Sequence, residues 1–314
     1  MSDIVCMGEP LLEFNQQPAG ADGRRLYLEG FGGDTSNAAI AAARQGAKAA
    51  YLTAVGRDVA GDRFLALWRG EGVDVSGVRV SDERPTAVYF VTHSDAGHAF
   101  LYYRKDSAAA GYGPADVDEA LVGGAKVFYA SGISQGISAA AADAVFHAMD
   151  VARAHGVTVA YDTNYRPRLW PAARAAAVIH AAIGRADIAF PGLEDALALT
   201  GLSDPDVIAD YYLRLGPRLV VLKMGAEGAL VATPGTRLRI PAFPCTPVDA
   251  TGAGDAFCGS FLARTVAGDT AEQAARYAAA AAALKCEAYG AVAPIPTAAQ
   301  VRAAMEARCS SPND

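Results

Sequence analysis

Hydrophobic positions fall into two alternating rhythms along this chain. Short apolar runs of four to eight residues are separated by longer stretches in which apolar residues recur every three or four positions. The first pattern predicts buried strands, the second amphipathic helices. Ile4 to Gly8 reads as a strand, Leu11 to Phe14 as a second extended piece, and Arg24 to Phe31 alternates like a third. An alanine-rich helix follows over Asn37 to Gln45 and stops at Gly46; Ala49 to Val55 is a strand and Ala60 to Gly70 a helix. The βα rhythm then breaks. Thr86 to His93 and His98 to Arg104 alternate strictly and are joined by Ser94-Asp95-Ala96-Gly97, a loop suited to a hairpin.

Beyond Gly113 the rhythm returns. Strands are predicted at Lys126–Ala130, Thr158–Asp162, Ile188–Pro191 and Leu219–Lys223, with helices at Ala139–His155, Pro171–Ile183, Glu194–Thr200 and Pro205–Leu215. Ala229–Thr233 and Arg237–Ile240 read as a late hairpin, and helices at Ala271–Lys285 and Ala298–Ala307 close the chain. Short strands alternating with helices imply an α/β fold, a doubly wound, mainly parallel sheet covered on both faces. Residues of about 9–32 and 85–106 supply four extended pieces for a separate small β-sheet lid within one domain spanning 1–314.

Composition narrows the function. Apolar residues make up 52% and charged residues 19%, so a large core is expected, with only the polar tail from Cys309 to Asp314 poor in packing residues. A net charge of −7 argues against a nucleic-acid surface, so an anionic substrate must be held by local cations. Five scattered cysteines (Cys6, Cys245, Cys258, Cys286, Cys309) without a CxxC pair fit a reducing, cytoplasmic setting and no zinc site. Nor is there a long basic-plus-apolar leader or a run able to span a bilayer. The five histidines, His93, His98, His147, His155 and His180, show no metal-ligand spacing.

The chemistry concentrates at Val248-Asp249-Ala250-Thr251-Gly252-Ala253-Gly254-Asp255-Ala256-Phe257. A glycine-rich turn here enters an apolar helix whose first turn starts near Ala253. The amides of Gly252, Ala253, Gly254 and Asp255 would be free at the positive end of the helix dipole, a site for phosphate. A carboxylate fixed beside an anion hole makes sense if Asp255 takes a proton from an attacking hydroxyl while the amides of Gly252, Ala253 and Gly254 stabilise the transferring group. The bland alternative is an ordinary acidic first turn.

The segment Asp249-Ala250-Thr251-Gly252-Ala253-Gly254-Asp255-Ala256-Phe257 resembles the C-terminal signature of the ribokinase-like (PfkB) sugar kinases, and Gly32-Gly33-Asp34-Thr35-Ser36-Asn37 through Gly46 resembles the N-terminal one. Most of residues 3 to 308 follow the family pattern. The resemblance implies ATP-dependent phosphorylation of a sugar with Mg²⁺, a β-sheet lid and often a homo-oligomer through that lid. It places Asn164, Lys223, Gly225, Gly228, Gly252 and Gly254 at the nucleotide, and Gly33, Asp34, Asn37, Tyr89, Tyr102, Arg104, Arg166 and Asp255 at the sugar. It further suggests Glu194 near magnesium, although Pro191-Gly192 replaces the expected Asn, and Asp249 with its neighbouring carbonyls at a monovalent cation such as K⁺. The alternative for Asp34 and Asn37 is to cap the helix, and for Glu194 to be an ordinary first-turn acid.

Tyr102-Tyr103-Arg104-Lys105 and Asn164-Tyr165-Arg166 bear on the substrate. Two forked cations in an acidic protein suit a sugar carboxylate better than a neutral sugar, unless each arginine bridges a protein carboxylate or Arg166 touches ATP. Together with Gly8-Glu9-Pro10-Leu11-Leu12-Glu13-Phe14, these stretches look most like the 2-keto-3-deoxygluconate kinases of the family. A neutral-sugar kinase such as a fructokinase, and a non-catalytic sensor on the same fold, are the rival expectations.

Overall fold

The computed structural model describes residues 1–94 and 97–310, without the side chains of 93–98, 309 and 310. The tip of the expected hairpin loop at Asp95-Ala96, the side chains of His93, His98 and Cys309, and the tail beyond Ser310 thus lie outside the described residues.

Strand residues alternate between two cores. Val5, Met7, Phe128, Val159 and Tyr161 pack on one face of the main sheet, and Ile4, Cys6, Val127, Tyr129 and Ala160 on the other. The sheet has nine strands. Seven run parallel, in the order β11 (Leu219–Lys223), β10 (Ile188–Phe190), β9 (Thr158–Asp162), β8 (Val127–Ser131), β1 (Ile4–Met7), β4 (Ala49–Gly56) and β5 (Val78–Ser81). An antiparallel hairpin, β12 (Ala229–Thr233) and β13 (Thr236–Ile240), extends the edge beside β11. The smaller sheet orders β3 (Leu26–Gly32), β2 (Leu11–Gln17), β6 (Ala87–Ser94) and β7 (Gly97–Tyr103), with β2 and β6 parallel and the other pairs antiparallel. The architecture is a large, mostly parallel sheet plus a small separate one, as the family resemblance implies.

Helices cover both faces. Among them are α1 (Asp34–Arg44), α2 (Val59–Gly70), α3 (Glu119–Gly123), α4 (Gly132–Gly136), α5 (Ala139–Ala154), α6 (Ala172–Ile183), α7 (Leu193–Thr200), α8 (Pro205–Leu215), α9 (Ala253–Val266), α10 (Ala271–Lys285) and α11 (Ala298–Ser310). Caps explain several boundaries: Asp58 accepts the Gly61 N–H ahead of α2, Asp204 precedes Pro205 at α8, and Thr270 with Gln273 forms a capping box on α10. The small residues of α1 and α9 set the geometry of the site. A Cβ on Gly259 would lie 2.2 Å from the Ala38 carbonyl oxygen, so α9 can press against α1 only with glycine there. That contact lies one helical turn beyond Asp255 and one residue beyond Asn37.

Three details depart from the sequence reading. Helix α1 begins at Asp34, not Asn37, because Gly33 ends the preceding chain at φ 113 and puts both polar residues in the first turn. Edge strand β5 and the short helices α3 and α4 were not anticipated; β5 is half exposed and its Val-Arg-Val-Ser alternation is only four residues long, and the two helices are five residues each. Helix α11 continues past Ala307 to Ser310.

Candidate active site

The carboxyl ends of the parallel strands deliver the polar groups. β8 ends in Ser131, β9 in Asp162 and β11 in Lys223, all at one edge of the sheet, where ligands of such folds bind. Gly33, following β3, cannot be replaced by a residue with a Cβ without a contact of 2.5 Å to the Glu9 carbonyl oxygen.

Asp255 stands in the first turn of α9 and accepts a hydrogen bond from Asn37 Nδ2 at 2.9 Å. Burial first, then the charges of Asp34 and Asp162, push its carboxyl up to about 7, against the opposing pull of Asn37 and Lys223. Asp34 accepts from Ser131 Oγ and from Asn164 Nδ2, the latter at 2.9 Å. Burial raises its pKa as well. The N-cap of α1 is Gly33, so neither Asp34 nor Asn37 stands at the capping position. Asp34 Oδ1 and Asn37 Oδ1 are instead buried acceptors with no protein donor. Such atoms cost stability unless a ligand hydroxyl or water reaches them.

Lys223 Nζ donates to the fully buried Asp162 at 2.5 Å. Burial works to lower its pKa, but Asp162 more than compensates and raises it. A Cβ placed on Gly254 would come within 3.5 Å of this ammonium, so Lys223 abuts the start of α9. No side chain caps α9. The amides of Gly252, Gly254 and Asp255 have no protein acceptor among the described residues. The expectation for Ala253 is corrected: Gly252 at φ 78 closes a turn in which the Ala253 N–H donates to the Ala250 carbonyl at 3.1 Å. The anion hole therefore has three free amides plus an ammonium. Gly225 and Gly228, both at positive φ, shape an exposed turn after β11; a Cβ on Gly228 would strike the Ile240 carbonyl oxygen, whereas one on Gly225 meets nothing.

Other expectations need revision. Arg104 is not a free fork: its Nη2 donates to buried Glu9, whose other oxygen accepts from Ser107 Oγ at 2.7 Å. Its buried Nε has no partner, and its guanidinium lies 5.6 Å from the Tyr102 ring centroid. Tyr89 stacks on Tyr102 at 5.5 Å and donates its hydroxyl to Glu13, so it too is engaged within the protein. Arg166 is exposed, giving Nη1 to the Tyr165 carbonyl, and contributes to holding down the carboxyls of Asp34 and Asp195. Glu194 is exposed in the first turn of α7, while Asp195 is the acid turned inward, accepting from Thr163 Oγ1 at 2.9 Å and from the Tyr165 N–H at 3.2 Å. Glu9, Glu13 and Asp195 were not singled out from sequence; Asp162, an acid at the end of a predicted strand, lies at the strand ends where a ligand site of such a sheet is expected. No group of three or more His, Cys, Asp or Glu able to hold a metal occurs among the described residues. The donors fit Mg²⁺ carried mainly by phosphate oxygens and water.

A mostly parallel sheet with an amide-lined helix start, a lysine beside it and a raised carboxyl at its mouth has the groups that phosphoryl transfer requires. Residues 1–298 match the model of the pfkB family carbohydrate kinases, and the chain belongs to this family. It is 36% identical over 290 residues to the 2-dehydro-3-deoxygluconokinase of Thermoproteus tenax, covering 90% of this chain and 88% of the relative. It is 32% identical to Fructokinase-1 of Oryza sativa subsp. japonica, covering 96% and 97%. A putative ribokinase II from E. coli, solved in complex with ATP and Mg²⁺, superposes with a TM-score of 0.90 at 25% identity over 98% of this chain and all of that one. This protein is an ATP-dependent sugar kinase that acts on a small-molecule sugar substrate. No helix among the described residues is long and apolar enough to cross a membrane.

Proposed function

We propose that the enzyme moves the γ-phosphoryl group of ATP to the terminal hydroxyl of 2-dehydro-3-deoxy-D-gluconate, forming the 6-phosphate. The observation that carries this reading is the carboxylate of Asp255, held by Asn37 beside three free amides and Lys223. The terminal hydroxyl sits against Asp255, which removes its proton as the oxygen attacks phosphorus in line. The amides of Gly252, Gly254 and Asp255, with Lys223, hold the negative charge of the transferring group. When bound, Mg²⁺ neutralises charge on the ATP phosphates. Asn164, Gly225 and Gly228 line the nucleotide, with Asp195 rather than Glu194 as the acid on that side. Gly33 and the unpaired oxygens of Asp34 and Asn37 receive sugar hydroxyls.

For the acid end of the substrate, the unpartnered Nε of Arg104 and the exposed Arg166 offer hydrogen-bond donors, with Tyr89 and Tyr102 as the aromatic wall. The grip of Glu9 on Arg104 is the one feature that favours a neutral ketose such as fructose, because it cancels part of the charge. ADP release across sugar acids and neutral sugars separates the two. A kcat/KM for 2-dehydro-3-deoxy-D-gluconate at least about 100-fold above that for fructose supports the acid, with Arg104→Ala and Arg166→Ala each raising its KM about tenfold or more. Equal or reversed preference ends it.

The chain is read as one ribokinase-like unit, with the small sheet as a lid that excludes water over the sugar. Leu28, Leu101 and Tyr103 are 61%, 52% and 60% exposed on that sheet, which supports a homo-oligomer through the lid. Light scattering should then give a multiple of 32.4 kDa, and Leu101→Glu with Tyr103→Glu should reduce it to that mass. Free Cys6, Cys245, Cys258 and Cys286, together with dependence on ATP, support a cytoplasmic location.

A further inference from the structure

The loop that ends in the anion hole is tied down by the segment after α10. The N–H groups of Val248 and Asp249 donate to the Cys286 carbonyl at 2.7 and 3.0 Å. Asp249 Oδ1 accepts from the Thr251 N–H and Oδ2 from the Gly290 N–H, both at 2.9 Å. The backbone carbonyl of Asp249 accepts from Lys285 Nζ at 2.7 Å. Lys285 is the last residue of α10 and is fully buried, although nothing in the apolar packing of an alanine-rich helix requires an ammonium there. Burying it is costly unless the charge is used.

All three oxygens of Asp249 therefore already hold a donor, and one of those donors is a cation. A K⁺ ion on the same carbonyl would meet a like charge at close range in a poorly hydrated place. The sequence-based expectation of a monovalent metal at Asp249 does not fit these residues.

We propose that Lys285 is the built-in cation of this loop. Its ammonium holds the Asp249 carbonyl and thereby fixes the turn from which the amides of Gly252, Gly254 and Asp255 project. Lys285 is a positioning residue, and turnover is independent of monovalent metal ions. The inference rests on residues 252–255 being the phosphoryl site and holds whichever sugar is the substrate.

The test compares KCl, NaCl and tetramethylammonium chloride at equal ionic strength. Wild-type kcat should vary by less than about twofold among them, and the melting temperature of the unliganded protein should show no K⁺-specific rise. Lys285→Met, which keeps length without charge, should lower kcat about tenfold or more while sugar KM stays within about twofold, since the turn and not the sugar site loosens. In Lys285→Ala, K⁺ or ethylammonium should restore part of kcat and raise the melting temperature, and Lys285→Arg should retain more activity than Lys285→Met. A K⁺-specific rise in wild-type kcat of more than about threefold, or a K⁺-specific stabilisation of the wild-type protein, overturns the proposal even if the variants fail to fold. So does Lys285→Met with wild-type kcat. If no sugar is turned over at all, the phosphorylation reading fails, and the melting data still decide the cation question separately.

Discussion

Replacing Asp255 by Asn should make the unliganded protein more stable while disabling it, and the gain should depend on pH. Burial pushes the Asp255 carboxyl from 3.8 up to about 7. Its pKa is raised in the folded state, so the folded protein binds this proton more tightly than the unfolded chain. The associated stability is present below about 4 and is lost as pH climbs to about 7. A rise of about 3 pH units at about 1.4 kcal/mol each sets an upper bound of about 4 kcal/mol. Relaxation and water entry around the acidic cluster reduce this to about 2–4 kcal/mol. Asn keeps the shape, can still accept from Asn37 and carries no charge. The variant should therefore melt about 4–8 °C above wild type at pH 8, at about 2 °C per kcal/mol for a chain of this size, with the gap closing near pH 4. Scanning calorimetry from pH 4 to 8.5 measures it. A gap that is absent at pH 8, or that does not change with pH, would refute the assignment of Asp255 as a strained, buried acid.

Further outcomes follow from the same geometry. The kcat/KM of the wild type should rise with pH through about 7 and level off above it, because Asp255 must lose its proton to act. Lys223→Met strands the Asp162 carboxylate in the interior and should cost about 3–5 kcal/mol in urea denaturation, with Asp162→Asn added to it restoring much of the loss. Gly33→Ala forces a Cβ to within 2.5 Å of the Glu9 carbonyl at a positive φ and should cost at least about 2 kcal/mol, read from the same denaturation curves.

Much of this was legible in the sequence because strand and helix periods carry it. The six parallel strands other than β5 announced themselves as short apolar runs between helices, and the turn at 252–255 announced an anion hole through its glycines. What the sequence could not convey is pairing across distance. Arg104 reads as a free cation in Tyr-Tyr-Arg-Lys, yet Glu9, 95 residues earlier, takes part of its fork. Lys285 reads as a routine basic residue closing a helix, yet it is buried on the Asp249 carbonyl. Adjacent acids are equally ambiguous: Glu194 and Asp195 differ only in which side of α7 they occupy. Such choices are settled by long-range packing that local patterns do not encode.

The account rests on Asp255 acting as the base at the phosphoryl site, and rapid-quench single turnover with enzyme in excess over sugar isolates that step. Asp255→Asn should slow phosphoryl transfer by about 10³-fold or more while leaving MgATP affinity within about threefold of wild type. A variant that transfers within about tenfold of the wild-type rate would contradict it.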